Sequence, residues 1–317
     1  MVIEFLLTGL GLLILLIAGD TLVRGAVNLS LRAGLPALVV SLTVVAFGTS
    51  APELLIAIEA VDDGAPGLAL GNVVGSNTAN VLMVLGIPAL LATLHTSACE
   101  TRRDFLIMMV ATLLFIGLCF TGRLVWWHGA ILLTALAIYL ANAFREARAH
   151  KAAAGACAEE EDVEGADPSL PYWKIALFIV LGLIGLPLGA DLLVENSIVI
   201  ARGFGVSEVV IGLTLVAIGT SLPELATTVM AALRQHADVA LGNVIGSNMF
   251  NLLGIMGVAT LVGPVPVAPG VLHFDLWIML GSALLLIPFV FLRQDITRTW
   301  GVILTGLYVV YLSILLV

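Results

Sequence analysis

Hydrophobic residues run along this chain in long blocks separated by short polar gaps. Ten blocks are long enough to cross ~30 Å of hydrocarbon as helices of about 20 residues each. They lie near residues 2–23, 36–60, 67–94, 104–121 and 124–144, and again near 174–194, 206–233, 239–262, 272–292 and 299–317. The ten-residue alternation of a membrane barrel is missing, and backbone facing lipid needs internal hydrogen-bond partners, so each block reads as a helix. The pattern predicts an all-α polytopic membrane protein of ten transmembrane helices.

Composition agrees: 60% of the 317 residues are hydrophobic and 11% are charged, which makes lipid the main solvent. The few cations orient the loops. Arg24, Arg32, Arg102, Arg103, Arg145, Arg148, Lys151, Lys174, Arg234, Arg293 and Arg298 fall in one alternating set, and only Arg123 and Arg202 fall in the other. Positively charged short loops stay in the cytoplasm, so both termini are expected outside an inner (plasma) membrane, with the central loop inside. The first block carries Glu4 and no early Lys or Arg, so it is expected to be an uncleaved anchor rather than a signal peptide.

Much of the net charge of −9 sits in Glu159, Glu160, Glu161, Asp162, Glu164 and Asp167. These acids mark a solvated linker, 145–173, between a first unit, 1–144, and a second, 174–317. The stretch lacks the glycine and ligand spacing of a calcium loop. Cys99, Cys119 and Cys157 have no paired spacing and point to neither a disulfide framework nor a thiolate metal site.

The two units are copies. Ser41 to Glu53, SLTVVAFGTSAPE, matches Gly212 to Glu224, GLTLVAIGTSLPE, at nine of thirteen positions and an offset of 171. Gly71 to Leu82, GNVVGSNTANVL, matches Gly242 to Leu253, GNVIGSNMFNLL, at eight of twelve and the same offset. The offset also pairs Asp20 with Asp191 and Asp104 with Asp275; the latter two precede apolar runs and are expected to cap helices. Five spans per copy put the second copy into the membrane upside down, which brings equivalent segments together near the midplane.

Glu53 and Glu224 lie inside apolar runs, where an ionised carboxylate costs about 2.5 kcal/mol or more without compensation. The surrounding spans contain no Lys or Arg, so a mobile cation or a proton must supply it. Pro52 and Pro223 lack an N–H and crowd the carbonyls of Gly48 and Gly219, which predicts breaks in the second and seventh helices and free carbonyls around Ala46 to Thr49 and Ala217 to Thr220. Thr49, Ser50, Thr220 and Ser221 add hydroxyls, giving an all-oxygen ligand set suited to hard ions such as Ca²⁺ and Na⁺. Asn72, Ser76 and Asn80, like Asn243, Ser247 and Asn251, are spaced to line one helical face. Prolines that merely kink and asparagines that merely glue helices would account for one motif alone, but not for duplicated buried glutamates. Two facing glutamates are neutralised by one divalent ion or by several Na⁺ ions, and that exclusivity is a physical basis for exchange.

These motifs resemble the α-repeats of the calcium/cation antiporter superfamily, most closely its prokaryotic sodium/calcium exchangers. The resemblance implies Ca²⁺ and Na⁺ as transported substrates, the lipid bilayer as the only other partner, and no cofactor. It implies Glu53 and Glu224 as central ligands, with carbonyl oxygen from Thr49 and Thr220 and flanking sodium sites completed by Ser50, Ser221, Ala46 and Ala217. Ser76, Asn80, Ser247 and Asn251 would close the site, and the first and sixth helices would slide across it. Asn251 departs from the pattern, because several exchangers carry Asp there. The alternative is a cation/proton antiporter of the same superfamily. A sodium-coupled solute carrier needs a larger, less symmetric cavity, and a membrane enzyme built on Asp62 and Asp63 lacks a repeat counterpart and a nucleophile.

Overall fold

The computed structural model describes residues 2–35, 37–99, 101–154, 170–205 and 217–315. The acids of the linker, Cys157, and the 206–216 stretch that opens the seventh expected span lie outside the described residues. What is described is helical, apart from two-residue strands β1 (Arg123–Leu124) and β2 (Val265–Pro266) and one isolated bridge from Leu94 to Ile296.

The first unit comprises α1 (Val2–Ala33), α2 (Ala37–Thr49), α3 (Ala51–Asp62), α4 (Pro66–Leu91), α5 (Arg102–Cys119) and α6 (Trp126–Ala154). The second comprises α7 (Tyr172–Gly203), a single turn Ala217–Gly219, α8 (Leu222–Leu233), α9 (Ala237–Val262), α10 (Val271–Phe291) and α11 (Arg298–Leu315). Among the described residues seven helices are long and apolar enough to cross a membrane, and the bent pair α2 and α3 makes an eighth. α5 falls short of that criterion because Arg102, Arg103 and Asp104 open it, and α8 because the residues leading into it are not described.

The repeat is written into the helix boundaries. Pro66 to Ala237 and Leu91 to Val262 are each 171 residues, as are Ala51 to Leu222 and Asp62 to Leu233. The described residues with positive φ form three repeat pairs, Gly34 with Gly205, Gly64 with Gln235 and Gly122 with Arg293, each just past a helix end where a left-handed residue terminates the hydrogen-bond ladder.

Two expectations are corrected. α1 and α7 run to 33 and 203 instead of ending near 23 and 194; at 32 residues each spans about 48 Å, more than the hydrocarbon thickness, and must tilt to cross it. Arg24, which the sequence places in a loop after the first span, therefore lies within α1, one turn beyond Asp20. Asp104 and Asp275 cap no helix. Thr101 holds the cap position of α5, Asp104 being its third residue, and Asp275 closes a π turn, Val271–Asp275, inside α10, where Tyr311 donates to it at 3.3 Å. α5 starts earlier than its apolar run because Arg102 and Arg103 continue its first turn, and α10 starts earlier than Asp275 because Val271, Leu272 and Phe274 already belong to the helix.

α1 and α7 pack backbone to backbone. A Cβ on Gly11 would lie 2.8 Å from the Gly189 carbonyl and one on Gly182 would lie 3.0 Å from the Ala18 carbonyl, contacts that the 171-residue offset interchanges. Small residues permit this approach, as membrane helix pairs require. The main core cluster joins α3, α4, α5, α8, α9 and α10 around Val73, Phe105, Met108, Val244 and Met256.

Candidate functional site

The centre of the molecule is built from the two proline-broken segments. α2 loosens into a π turn at Ser41–Val45, which the sequence did not announce, tightens for one α turn at Ala46–Thr49, and breaks at Ser50 (φ −85°, ψ 2°). The chain restarts as α3 at a bend of 42°. Ser221 repeats the break with φ −93° and ψ 4°. Pro52 and Pro223 are each the second residue of the new helix, where a missing N–H costs nothing. The carbonyls of Gly48 and Gly219, four residues earlier, lose their usual donor.

Glu53 and Glu224 consequently stand in the first turns of α3 and α8, where unpaired N–H groups and the helix dipole favour negative charge. Each is only 1% exposed. Neither forms an ion pair with a Lys or Arg among the described residues. The two repeats meet here: Ser50 Oγ donates to Glu224 Oε1 at 3.4 Å, and Thr49 Oγ1 to Asn243 Oδ1 at 3.5 Å. Asn243 Nδ2 in turn donates to the Glu224 carbonyl at 3.3 Å and to Thr228 Oγ1 at 3.1 Å.

The neighbouring helices supply the rest of the shell. Ser76 and Asn80 on α4 are buried, as are Ser247 and Asn251 on α9. Asn251 lies in a π turn, Phe250–Ile255, so the helical-face spacing read from sequence is interrupted there by a widened turn. Asn80 Nδ2 donates across the repeats to Asn248 Oδ1 at 3.0 Å. Ala46 is buried, Thr220 is half-buried and Ala217 opens the turn before α8. Asn77, Asn248, Thr228 and Ser41, whose hydroxyl donates to the Val239 carbonyl at 2.6 Å, were not singled out from the sequence. Asn77 and Asn248 could have been, because both copies carry them between the residues of the polar stripe.

Several buried polar atoms in this shell have no hydrogen-bond partner in the protein: Oε2 of Glu53 and of Glu224, Oγ of Ser221 and Ser247, and both side-chain polar atoms of Asn77 and Asn251. Each would cost about 1–3 kcal/mol if left so. The atoms are mostly oxygens, they flank two carboxylates, and no third His, Cys, Asp or Glu joins them in a metal-binding group among the described residues. Such a donor set fits a weakly selective hard cation that comes and goes, rather than a resident transition metal.

A helical membrane core made of two matching units, each broken at its centre, is the architecture of a transporter. Comparison with known proteins makes the class specific. The family model described as sodium/calcium exchanger protein matches residues 3–145 and 174–317. The chain is 34% identical to a putative antiporter, CaxA, of Alkalimonas amylolytica over 87% of this chain and 86% of that one. It is 33% identical to the sodium/calcium exchanger MaX1 of Methanosarcina acetivorans over 99% and 98%. The solved structure of the sodium-calcium exchanger NCX_Mj, soaked with Na⁺ and Sr²⁺, superimposes with a TM-score of 0.83 at 29% identity, covering 98% of both chains. The chain belongs to the sodium/calcium exchanger family, and is a cation antiporter of the membrane rather than an enzyme.

Proposed function

We propose that this protein exchanges Ca²⁺ for Na⁺ by alternating access through one midplane site, with Glu53 and Glu224 as its two carboxylates. The observation that carries the reading is the pair itself: two glutamates, each buried at the start of a broken helix, face unpartnered oxygens and, among the described residues, pair with no Lys or Arg. One Ca²⁺ cancels their charge, and so do Na⁺ ions spread over the adjacent hydroxyl and carbonyl oxygens of Thr49, Ser50, Ala46, Thr220, Ser221 and Ala217. The two loads exclude each other. The unloaded site, doubly charged in hydrocarbon, resists crossing, which couples the fluxes. Ser76, Asn80, Ser247 and Asn251 close the site from α4 and α9.

The same reading counts ten spans, with α5 and α8 completing the seven long helices and the broken pair, and divides the chain at the 145–173 linker. The distribution of Lys and Arg puts the termini outside and the linker in the cytoplasm of the inner membrane. Sodium is favoured over protons as the counter-ion because the neutral hydroxyls and carbonyls around both acids supply the several oxygens that a Na⁺ ion needs, more than the O–H groups of two protonated carboxyls would use. The names of MaX1 and NCX_Mj as sodium/calcium exchangers support the same choice. Calorimetric titration of the purified protein tests the site: Ca²⁺ should bind in Na⁺-free buffer and be displaced by Na⁺. A protein that binds no Ca²⁺ there has a different substrate.

A further inference from the structure

The two ends of α8 and of its counterpart α3 differ in a way the repeat does not require. At the C-terminal end of α8, Arg234 Nε lies 2.5 Å from Asp20 Oδ1, and Arg24 Nε lies 3.0 Å from the other oxygen of the same carboxylate. One aspartate of α1 is thus held by two guanidinium groups, one from its own helix and one from the end of a core helix. The pair is well shielded, with 21% of the Asp20 and 15% of the Arg234 side chain exposed. It stands beside a close crossing of α1 and α8, for a Cβ on the adjacent Gly19 would lie 3.0 Å from the Ala226 carbonyl.

The 171-residue offset sends Asp20 to Asp191, Arg24 to Glu195 and Arg234 to Asp63. Acids alone, Asp191, Glu195 and Asp63, therefore take the equivalent positions in the other copy, and like charges cannot make the ion pairs that Arg24 and Arg234 make with Asp20. The packing follows the charges. Ala226 and Thr227 are buried under α1, whereas their counterparts Leu55 and Ile56 on α3 are 61% and 40% exposed.

We propose that Asp20, Arg24 and Arg234 form a latch that holds the pathway shut at the arginine-rich end of the molecule, and that breaking it lets the ion site open there. The inference rests on the antiport reading above. In that reading the latched end is cytoplasmic, and the opposite end, with no latch, opens by default and presents acids to arriving cations. A partly solvated pair suits the task, because it biases a two-state equilibrium by up to about fivefold yet breaks in every cycle. Sequence could supply the three residues but not their meeting, since 214 positions separate Asp20 from Arg234.

Hydrogen–deuterium exchange on the purified full-length chain, in buffer free of Ca²⁺ and Na⁺, reads the latch directly. Asp20→Asn and Arg234→Gln should each raise exchange at the amides of α8 by about twofold to fivefold, and the charge-swapped double variant Asp20→Arg with Arg234→Asp should bring it back toward wild type. Asp191→Asn, at the unlatched end, should leave α8 unchanged. Unaltered exchange in both single variants overturns the latch. So does aggregation of both singles and of the swapped pair, which would make the cluster structural. Calorimetric Ca²⁺ binding by the same preparations separates the two claims: a wild type that binds no Ca²⁺ sinks the antiport site without touching the exchange result, and Ca²⁺ binding with no change in exchange sinks only the latch.

Discussion

Ser50 Oγ lies 3.4 Å from Glu224 Oε1, so the break in one repeat is joined to the acid of the other. A site assembled in this way depends on both units at once, and neither glutamate can be weakened in private. The carboxylates should matter most and the bridging hydroxyl less.

Glu53→Gln and Glu224→Gln are each expected to lower Ca²⁺ affinity more than about a hundredfold, and Ser50→Ala only about threefold to tenfold, in line with a charged against a neutral ligand. The glutamine variants should be at least as heat-stable as wild type in ion-free buffer, because a buried charge has been removed. Ca²⁺ should raise the melting temperature of wild type alone. Thermal shifts with and without Ca²⁺ check both statements, and a glutamine variant still stabilised by Ca²⁺ would place the site elsewhere.

Asn251 offers oxygen without a titratable proton, and both polar atoms of its side chain lack a protein partner. Asn251→Asp adds a third acid to the shell. Ca²⁺ binding, measured across about pH 6 to 8, should become more steeply pH-dependent in the variant, since protons then compete at an extra carboxylate. Parallel profiles would show that Asn251 does not face the ion.

Gly189 lies at a close approach of α7 to α1, with Leu15 N at 2.9 Å and the Gly11 carbonyl at 3.0 Å from where a Cβ would stand. Backbone atoms cannot yield as a side-chain tip does. Gly189→Val should therefore cost about 1–3 kcal/mol and lower the melting temperature by several degrees. Gly9→Val, with nothing within 4 Å, should not. Equal melting temperatures for the two variants would contradict the packing described.

A loop clamp outside the spans predicts an acid limb. Burial pushes the Asp295 carboxyl up, but the Ser97 N–H at 3.0 Å, the Ser97 hydroxyl and the His95 ring together hold it below the usual aspartate range. A carboxyl lowered by folding stabilises above its unfolded value and loses that contribution as pH falls through the folded one. Melting temperature between about pH 6 and about pH 3 should accordingly fall less in Asp295→Asn than in wild type. Identical slopes would remove Asp295 from the clamp.

Sequence carried more of this molecule than is usual, because it contains the fold twice. The two glutamates, the proline breaks and the paired units could be read from SLTVVAFGTSAPE and its echo, and the echo extends in the structure to helix ends and to turn residues such as Gly64 and Gln235. What escaped was whatever depends on distance across the bundle. The bond from Asn80 to Asn248 joins residues 168 positions apart, and the π turns at Ser41–Val45 and Phe250–Ile255 answer to packing rather than to any local breaker. The ends of α1 and α7 also escaped, since an amphipathic continuation such as Arg24 to Ala33 carries too many polar residues to register as apolar. The asymmetry between the latched and unlatched ends is invisible in a comparison that seeks identity, for it lies in the positions where the copies differ.

The most direct measurement of the central claim is Ca²⁺ uptake into proteoliposomes loaded with Na⁺ and diluted into Na⁺-free buffer. Wild type should accumulate Ca²⁺ in proportion to the outward Na⁺ gradient, and Glu53→Gln and Glu224→Gln should not. Uptake that follows an imposed pH gradient and ignores Na⁺ would contradict the account and make the protein a proton-coupled exchanger.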